Sequence, residues 1–208
     1  MLLNWPKLFT LDFRTNILKT NVLILTLCLL IPILFSTTPT TTVQAAIPGE
    51  LFMPLISIFA FGNIFLPEQT ADMTAVINSK PIQLKTIYAL RFGWSLLFLS
   101  IINSLLILIY LLSTANLNLG LLWADFLVKP LFIGSLAALS YRLCHFPALA
   151  YLIPTAFLAL CIGYPHLGVF NLLTIMNHQG WLGIISQLIA GILFLIISFT
   201  KFKKQPFA

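Results

Sequence analysis

Residues 67–91 read PEQTADMTAVINSKPIQLKTIYALR, from Pro67 to Arg91. They form the longest polar passage in a chain that is otherwise mostly hydrocarbon. They hold two of its five acidic residues and three of its eleven basic ones. Pro67-Glu68 can open a helix, with Glu68 and Asp72 favoured in its first turns by the helix dipole. Met73, Val76 and Ile77 follow at i, i+3, i+4 and make an apolar stripe. Asn78-Ser79-Lys80-Pro81 ends it, because a proline disfavours helix at the residue before it. A second segment, Ile82 to Arg91, runs on into the next apolar stretch. A loop that only joins two membrane spans needs no such stripe, whereas a helix docking into a groove on a soluble partner does. The plainer alternative is a connector lying among lipid headgroups.

Outward from this stretch the chain is apolar. Of 208 residues, 60% are hydrophobic and 8% charged, against about 25% charged in a soluble domain. The length suits one domain over 1–208, and long continuous apolar runs rather than alternating segments make it an all-α polytopic bundle, not a barrel. Six spans are expected, near 21–36, 50–66, 92–112, 121–140, 148–164 and 182–200. A signal peptide is the competing reading of the first, with Val43-Gln44-Ala45 as the cleavage site, but that triplet lies well beyond the apolar run. Residues 1–19 mix Leu8, Leu11, Leu18, Phe9 and Phe13 with Lys7, Asp12, Arg14 and Lys19. That pattern fits a helix lying in the interface plane, or an ordinary charged lead before the first span. Residues 165–181 carry no charged residue, and their apolar content predicts an outer re-entrant or short helical segment.

Ten of the eleven Lys and Arg fall in the lead, the 67–91 stretch, the 140–147 turn or the tail. These are alternate connections of a six-span chain. By the positive-inside rule both termini and the 67–91 stretch are cytoplasmic, in a cell membrane. The net charge of +6 therefore reads as topology and headgroup contact, with no nucleic-acid face.

Chemistry is sparse. Asp125 and Lys129, at i, i+4, share a helix face and can pair. Such a pair is either a structural contact near the outer headgroups, beside the Trp123 anchor, or part of a substrate path. Cys28, Cys144 and Cys161 have no metal-binding spacing. His145 reads as a solvated or headgroup-level side chain and not as a ligand, and His166 and His178, twelve residues apart, are weak evidence for a metal, so no metal or cofactor is expected. There is no HExxH, no phosphate-binding glycine loop, and no supported base near Gly134-Ser135. The expected role is passage or binding, energised from elsewhere, and not enzymatic catalysis.

The polar stretch together with the chain's architecture resembles the type-two ABC exporter permeases. The matching residues are Glu68, Ser79, Lys80, Pro81 and Arg91, and the resemblance covers the whole chain in architecture. It implies an interfacial helix over Leu2 to Leu18 and a cytoplasmic coupling helix over Glu68 to Ser79, within 67–81. The contacts to an ATPase subunit would be Glu68, Asp72, Met73, Val76, Ile77 and Lys80. It also implies a second permease, as a homodimer or heterodimer, and separate ATPase chains. The chain is short for such a permease, with no long outer domain. Two other readings are a six-span vitamin-binding subunit of an energy-coupling-factor transporter, against which the first span lacks an AxxxA docking face, and a membrane immunity or assembly factor. The topology predicts that a reporter fused after Leu119 is protected from the cytoplasm, as read by reporter activity in intact cells; activity on the cytoplasmic side would break the six-span order.

Overall fold

A computed structural model describes residues 17–35, 38–66, 84–112, 117–165 and 167–200, and among these the ordered elements are all helical. The expected coupling helix over 67–81 lies outside the described residues, as does the lead up to residue 16. The chain enters as α1 (Leu18–Leu29) and a short α2 (Ile31–Leu34). Next comes a 24-residue helical run, Thr42–Phe65, built from α3 (Thr42–Ile47), a π turn (Pro48–Phe52), α4 (Met53–Gly62) and a 3₁₀ turn (Asn63–Phe65). Then come α5 (Leu84–Leu111), α6 (Leu119–Cys144), α7 (Pro147–Gly163), a 3₁₀ turn (Gly168–Phe170) and α8 (Gly180–Thr200).

Four runs are long and apolar enough to cross a membrane: Thr42–Phe65, Thr86–Leu111, Leu119–Cys144 and Gly180–Thr200. Leu18–Leu34 and Pro147–Gly163 are shorter apolar helices. At 1.5 Å per residue, 17 residues reach about 26 Å, against a hydrocarbon core of about 30 Å.

The second run starts at Thr42, earlier than the apolar pattern predicts, because its end is capped. Thr41 Oγ1 accepts from Gln44 N–H at 3.3 Å, and Gln44 Oε1 accepts from Thr40 N–H at 3.1 Å and Thr40 Oγ1 at 2.7 Å. That reciprocal arrangement satisfies donors that have no intrahelical partner. Eight residues on, the ladder slips. Pro54 has no N–H to give the Glu50 carbonyl, and Met53 N–H reaches back to Pro48 O, an i to i+5 bond. The π turn leaves Glu50 fully buried.

Helix α6 is the hub and packs against α4, α5, α7 and α8. Its inward residues include Leu122, Phe126, Ile133 and Ala137. Helices α5 and α8 turn apolar side chains outward. Leu97, Ile101, Leu105 and Leu108 form one stripe on α5, and Ile185, Ile189, Ile192 and Ile196 one on α8, all exposed. Exposed stripes of this extent suit hydrocarbon surroundings and not water.

One end of the bundle gathers the ends that carry basic flanks. Phe65 stacks on Tyr141 with centroids 4.2 Å apart and lies edge-on to Tyr88 at 5.2 Å. Phe92 meets Phe199 at 6.2 Å. Ile17, Thr20 and Asn21 line a small hollow with Asn63, Ile64 and Arg91. The start of α1, the end of the Thr42–Phe65 run, the start of α5, the end of α6 and the end of α8 therefore share one pole.

Close helix approach depends on absent side chains. A Cβ on Gly49 would overlap the Phe126 ring, whereas one on Gly93 would meet nothing within 4 Å. Gly49→Ala should lower stability by about 1–3 kcal/mol through overpacking. Gly93→Ala should be neutral or stabilise by up to about 1 kcal/mol through helix propensity. Thermal unfolding of the two variants in the same detergent checks the contrast, and equal midpoints would contradict the packing.

Candidate functional site

Asp125 and Lys129 lie one turn apart on α6, and their side chains pair at 2.8 Å with neither exposed to solvent. The pair is enclosed in the bundle and not at a surface, and it belongs to a larger polar cluster. Lys129 Nζ donates to Thr174 Oγ1 at 2.9 Å and to Gln187 Oε1 at 3.0 Å. With the Asp125 contact, these use the three hydrogens of the ammonium. Glu50 closes the cluster from the π turn. Its Oε1 accepts from Ile175 N–H and lies 2.8 Å from Thr174 Oγ1, and its Oε2 accepts from Met176 N–H at 3.0 Å. Thr174 Oγ1 also lies 2.6 Å from Asp125 Oδ1.

The segment between α7 and α8 supplies the other half. After the Gly168–Phe170 turn, residues 171–175 run without regular structure and are all buried. Irregular backbone inside an apolar bundle must have its polar groups satisfied by protein. Asn171 does much of this. Its Nδ2 lies 3.2–3.3 Å from the carbonyls of Cys161, Tyr164 and Pro165, covering the carbonyls at the end of α7. Its Oδ1 accepts from Leu173 N–H at 2.9 Å, and its own carbonyl accepts from Gln187 Nε2 at 2.7 Å. Gly183 makes room, since a Cβ there would run into Thr174 Cγ2. Three buried side chains, Glu50, Lys129 and Gln187, thus hold this segment against the π turn, α6 and α8.

Of the residues expected to carry function, Asp125 and Lys129 are in this cluster. Glu68, Asp72, Met73, Val76, Ile77 and Lys80 lie outside the described residues. Glu50, Thr174, Gln187 and Asn171 were missed by sequence reasoning. For Glu50 a signal existed: it is one of five acidic residues and stands between Pro48 and Pro54 in an apolar run. Thr174, Gln187 and Asn171 are uncharged and have no such mark. His145 and His178 adopt left-handed backbone at φ 52° and 57°, His145 as the residue that ends α6. Among the described residues no group of three His, Cys, Asp or Glu is gathered as for a metal.

The second arrangement of interest is at the opposite pole. Beyond the Phe65–Tyr88–Tyr141 ring cluster, Tyr88 and Tyr141 hydroxyls are 3.3 Å apart, and Arg91 Nη1 donates to the Ile64 carbonyl at 3.0 Å. Asn63 Oδ1 accepts from Tyr151 Oη at 2.6 Å. The helix ends on either side of residues 67–83 therefore contact each other and α6 and α7.

No protein-family model matches the chain, and no curated protein or solved structure matches it significantly. Fold and site define an all-helical protein with membrane-compatible helices around a buried ionic centre.

Lys129→Met leaves two buried carboxylates without their cation and should destabilise by about 3–5 kcal/mol. Replacing Asp125 and Lys129 together with Asn and Met should cost clearly less than the single change, because one uncompensated charge is then removed with the other. Denaturation midpoints of the single and double variants in matched detergent check this; an additive loss would count against the pairing.

Proposed function

We propose that this chain is the membrane-spanning permease subunit of an ABC transporter, an exporter of a hydrophobic or amphipathic substrate, driven by separate ATPase subunits. The observation that carries the reading is the mutual contact of the two helix ends that flank residues 67–83. Leu66 follows the Phe65 ring and the Arg91-bound Ile64 carbonyl, and Tyr88 lies just inside the start of α5. A connector that merely crossed from one helix to the next would need no such clamp. A handle gripped by a partner does, because force on it must reach the helices without being lost in a loose joint.

In this reading the chain crosses the membrane six times, Leu18–Leu34 and Pro147–Gly163 being the two shorter crossings. The shared pole supports that order, since the described helix ends that border each Lys- or Arg-bearing connection lie there. By the charge rule that pole is cytoplasmic and the membrane is the cell membrane. The 67–81 helix, with Glu68, Asp72, Met73, Val76, Ile77 and Lys80, seats in an ATPase subunit. Closure of an ATPase pair displaces it. The displacement passes through the aromatic clamp to α4, α5 and α6, and the helices rock as rigid bodies around a pathway shared with a second permease copy, or with a different permease. ATP is hydrolysed in the partner and not in this chain.

The test is co-purification from membranes with the ATPase subunit, followed by ATPase and transport assays in vesicles. Met73→Asp with Ile77→Asp should abolish co-purification. Tyr141→Leu should leave the ATPase bound but cut transport per ATP by several-fold. Retained binding in the double variant would overturn the docking helix, and undiminished coupling in Tyr141→Leu would overturn the clamp.

A further inference from the structure

The buried cluster has one hydrogen too few. Thr174 Oγ1 lies 2.8 Å from Glu50 Oε1 and 2.6 Å from Asp125 Oδ1, both hydrogen-bond lengths between oxygens. The hydroxyl owns a single hydrogen and can donate to only one of the two carboxylates. It accepts from Lys129 Nζ through one lone pair and keeps a second lone pair with which to accept. The three hydrogens of Lys129 are committed to Asp125, Thr174 and Gln187. Either short O···O contact is therefore a repulsion between an ionised carboxylate and a lone pair, or the second hydrogen comes from a carboxyl group.

Charge leads to the same place. The cluster holds two carboxylates and one ammonium, all fully buried. The groups facing it from neighbouring elements are Glu50 from the π turn, Asp125 and Lys129 from α6, and the Cys161 thiol from α7 within electrostatic reach of Lys129. Gln187 from α8 and Thr174 are neutral. With both carboxylates ionised, one negative charge is left uncompensated in an apolar bundle, which is costly. Two like charges placed this close repel, so double ionisation is disfavoured. An independent observation marks the place: Asp125 Oδ2, on a side chain with no solvent exposure, has no hydrogen-bond partner.

We propose that Glu50, Thr174 and Asp125 form a proton-binding site that holds one proton between the two carboxyl groups. The proton supplies the missing hydrogen, and its charge brings the cluster to neutrality. It is held in part by irregular backbone. Thr174, Ile175 and Met176 all belong to the irregular segment ahead of α8, and they contribute the hydroxyl and both backbone N–H groups on Glu50. Withdrawal of that segment would expose both carboxylates to water, where they ionise and the proton leaves; its return requires the proton to be taken up again. Proton occupancy and the position of the segment are thereby linked. This site stands whether or not an ATPase partner binds the opposite pole.

Infrared spectroscopy of the full-length protein in lipid vesicles at neutral pH tests it. The wild type should show the C=O stretch of a protonated, water-shielded carboxyl group, shifting slowly in heavy water. Asp125→Asn leaves Glu50 and Lys129 as a neutral pair and should remove the band; the amide keeps an oxygen at Oδ1 and places its nitrogen where no partner is displaced. Lys129→Met removes the compensating cation and should strengthen the band, since both carboxyl groups then hold protons. Absence of the band in the wild type overturns the proposal, and that measurement needs no variant to fold. A band unchanged in both variants overturns it too. So does a band that appears only when sodium and potassium are withdrawn, which would make the occupant a metal cation.

Discussion

The Lys129 ammonium is the point on which the packing of this molecule converges. It has three hydrogens to place in a bundle that offers almost no water. They go to Asp125 on its own helix, to Thr174 on the segment ahead of α8, and to Gln187 on α8 itself. Through Thr174 it reaches Glu50 on the π turn. Any arrangement that moved one of these elements would leave a buried charge unpaired, at a cost of several kcal/mol. Apolar helix faces can slide past one another with little penalty, because leucine against leucine resembles leucine against lipid. The ionic centre cannot slide. It sets which turn of α6 faces which residue of α8, and so supplies the register that the hydrocarbon surfaces leave loosely defined.

The centre also explains why the backbone is irregular where it is. The segment at 171–175 could not be buried if its peptide groups faced only hydrocarbon. Asn171 answers the end of α7, Gln187 answers Asn171, and Glu50 answers Ile175 and Met176. The π turn has the same logic from the other side. Pro54 denies the Glu50 carbonyl its usual donor, and the extra residue in the turn accompanies a Glu50 side chain that points inward. Two local departures from regular helix thus meet at one carboxylate.

The two poles of the bundle are chemically different and joined by α6. Asp125 and Tyr141 are sixteen residues apart on that helix, about 24 Å at the rise of an α-helix. One pole is ionic and closed by an irregular segment. The other is aromatic and gathers the helix ends that flank residues 67–83. The helix between them is continuous and contains Pro130, whose missing N–H leaves the Phe126 carbonyl to accept from Asn103 Nδ2.

Much of this was legible in the amino-acid order. The long apolar runs dictated an all-helical chain, because a backbone in hydrocarbon must bond to itself. The i, i+4 spacing of Asp125 and Lys129 placed them on one face, and they do pair. The composition of 165–181 marked that stretch as unusual. The helix start at Thr42 was hidden because Thr41 and Gln44 act through caps that an apolar window does not register. The tertiary structure alone decided which polar groups meet. Glu50, Asp125, Thr174 and Gln187 are separated by up to 137 residues, from position 50 to position 187, and no local pattern encodes a contact across that distance. Sequence periodicity determines which face of a helix is apolar. Only packing in three dimensions determines which rare polar group on that face finds another, and there the need to satisfy each buried charge selected one arrangement.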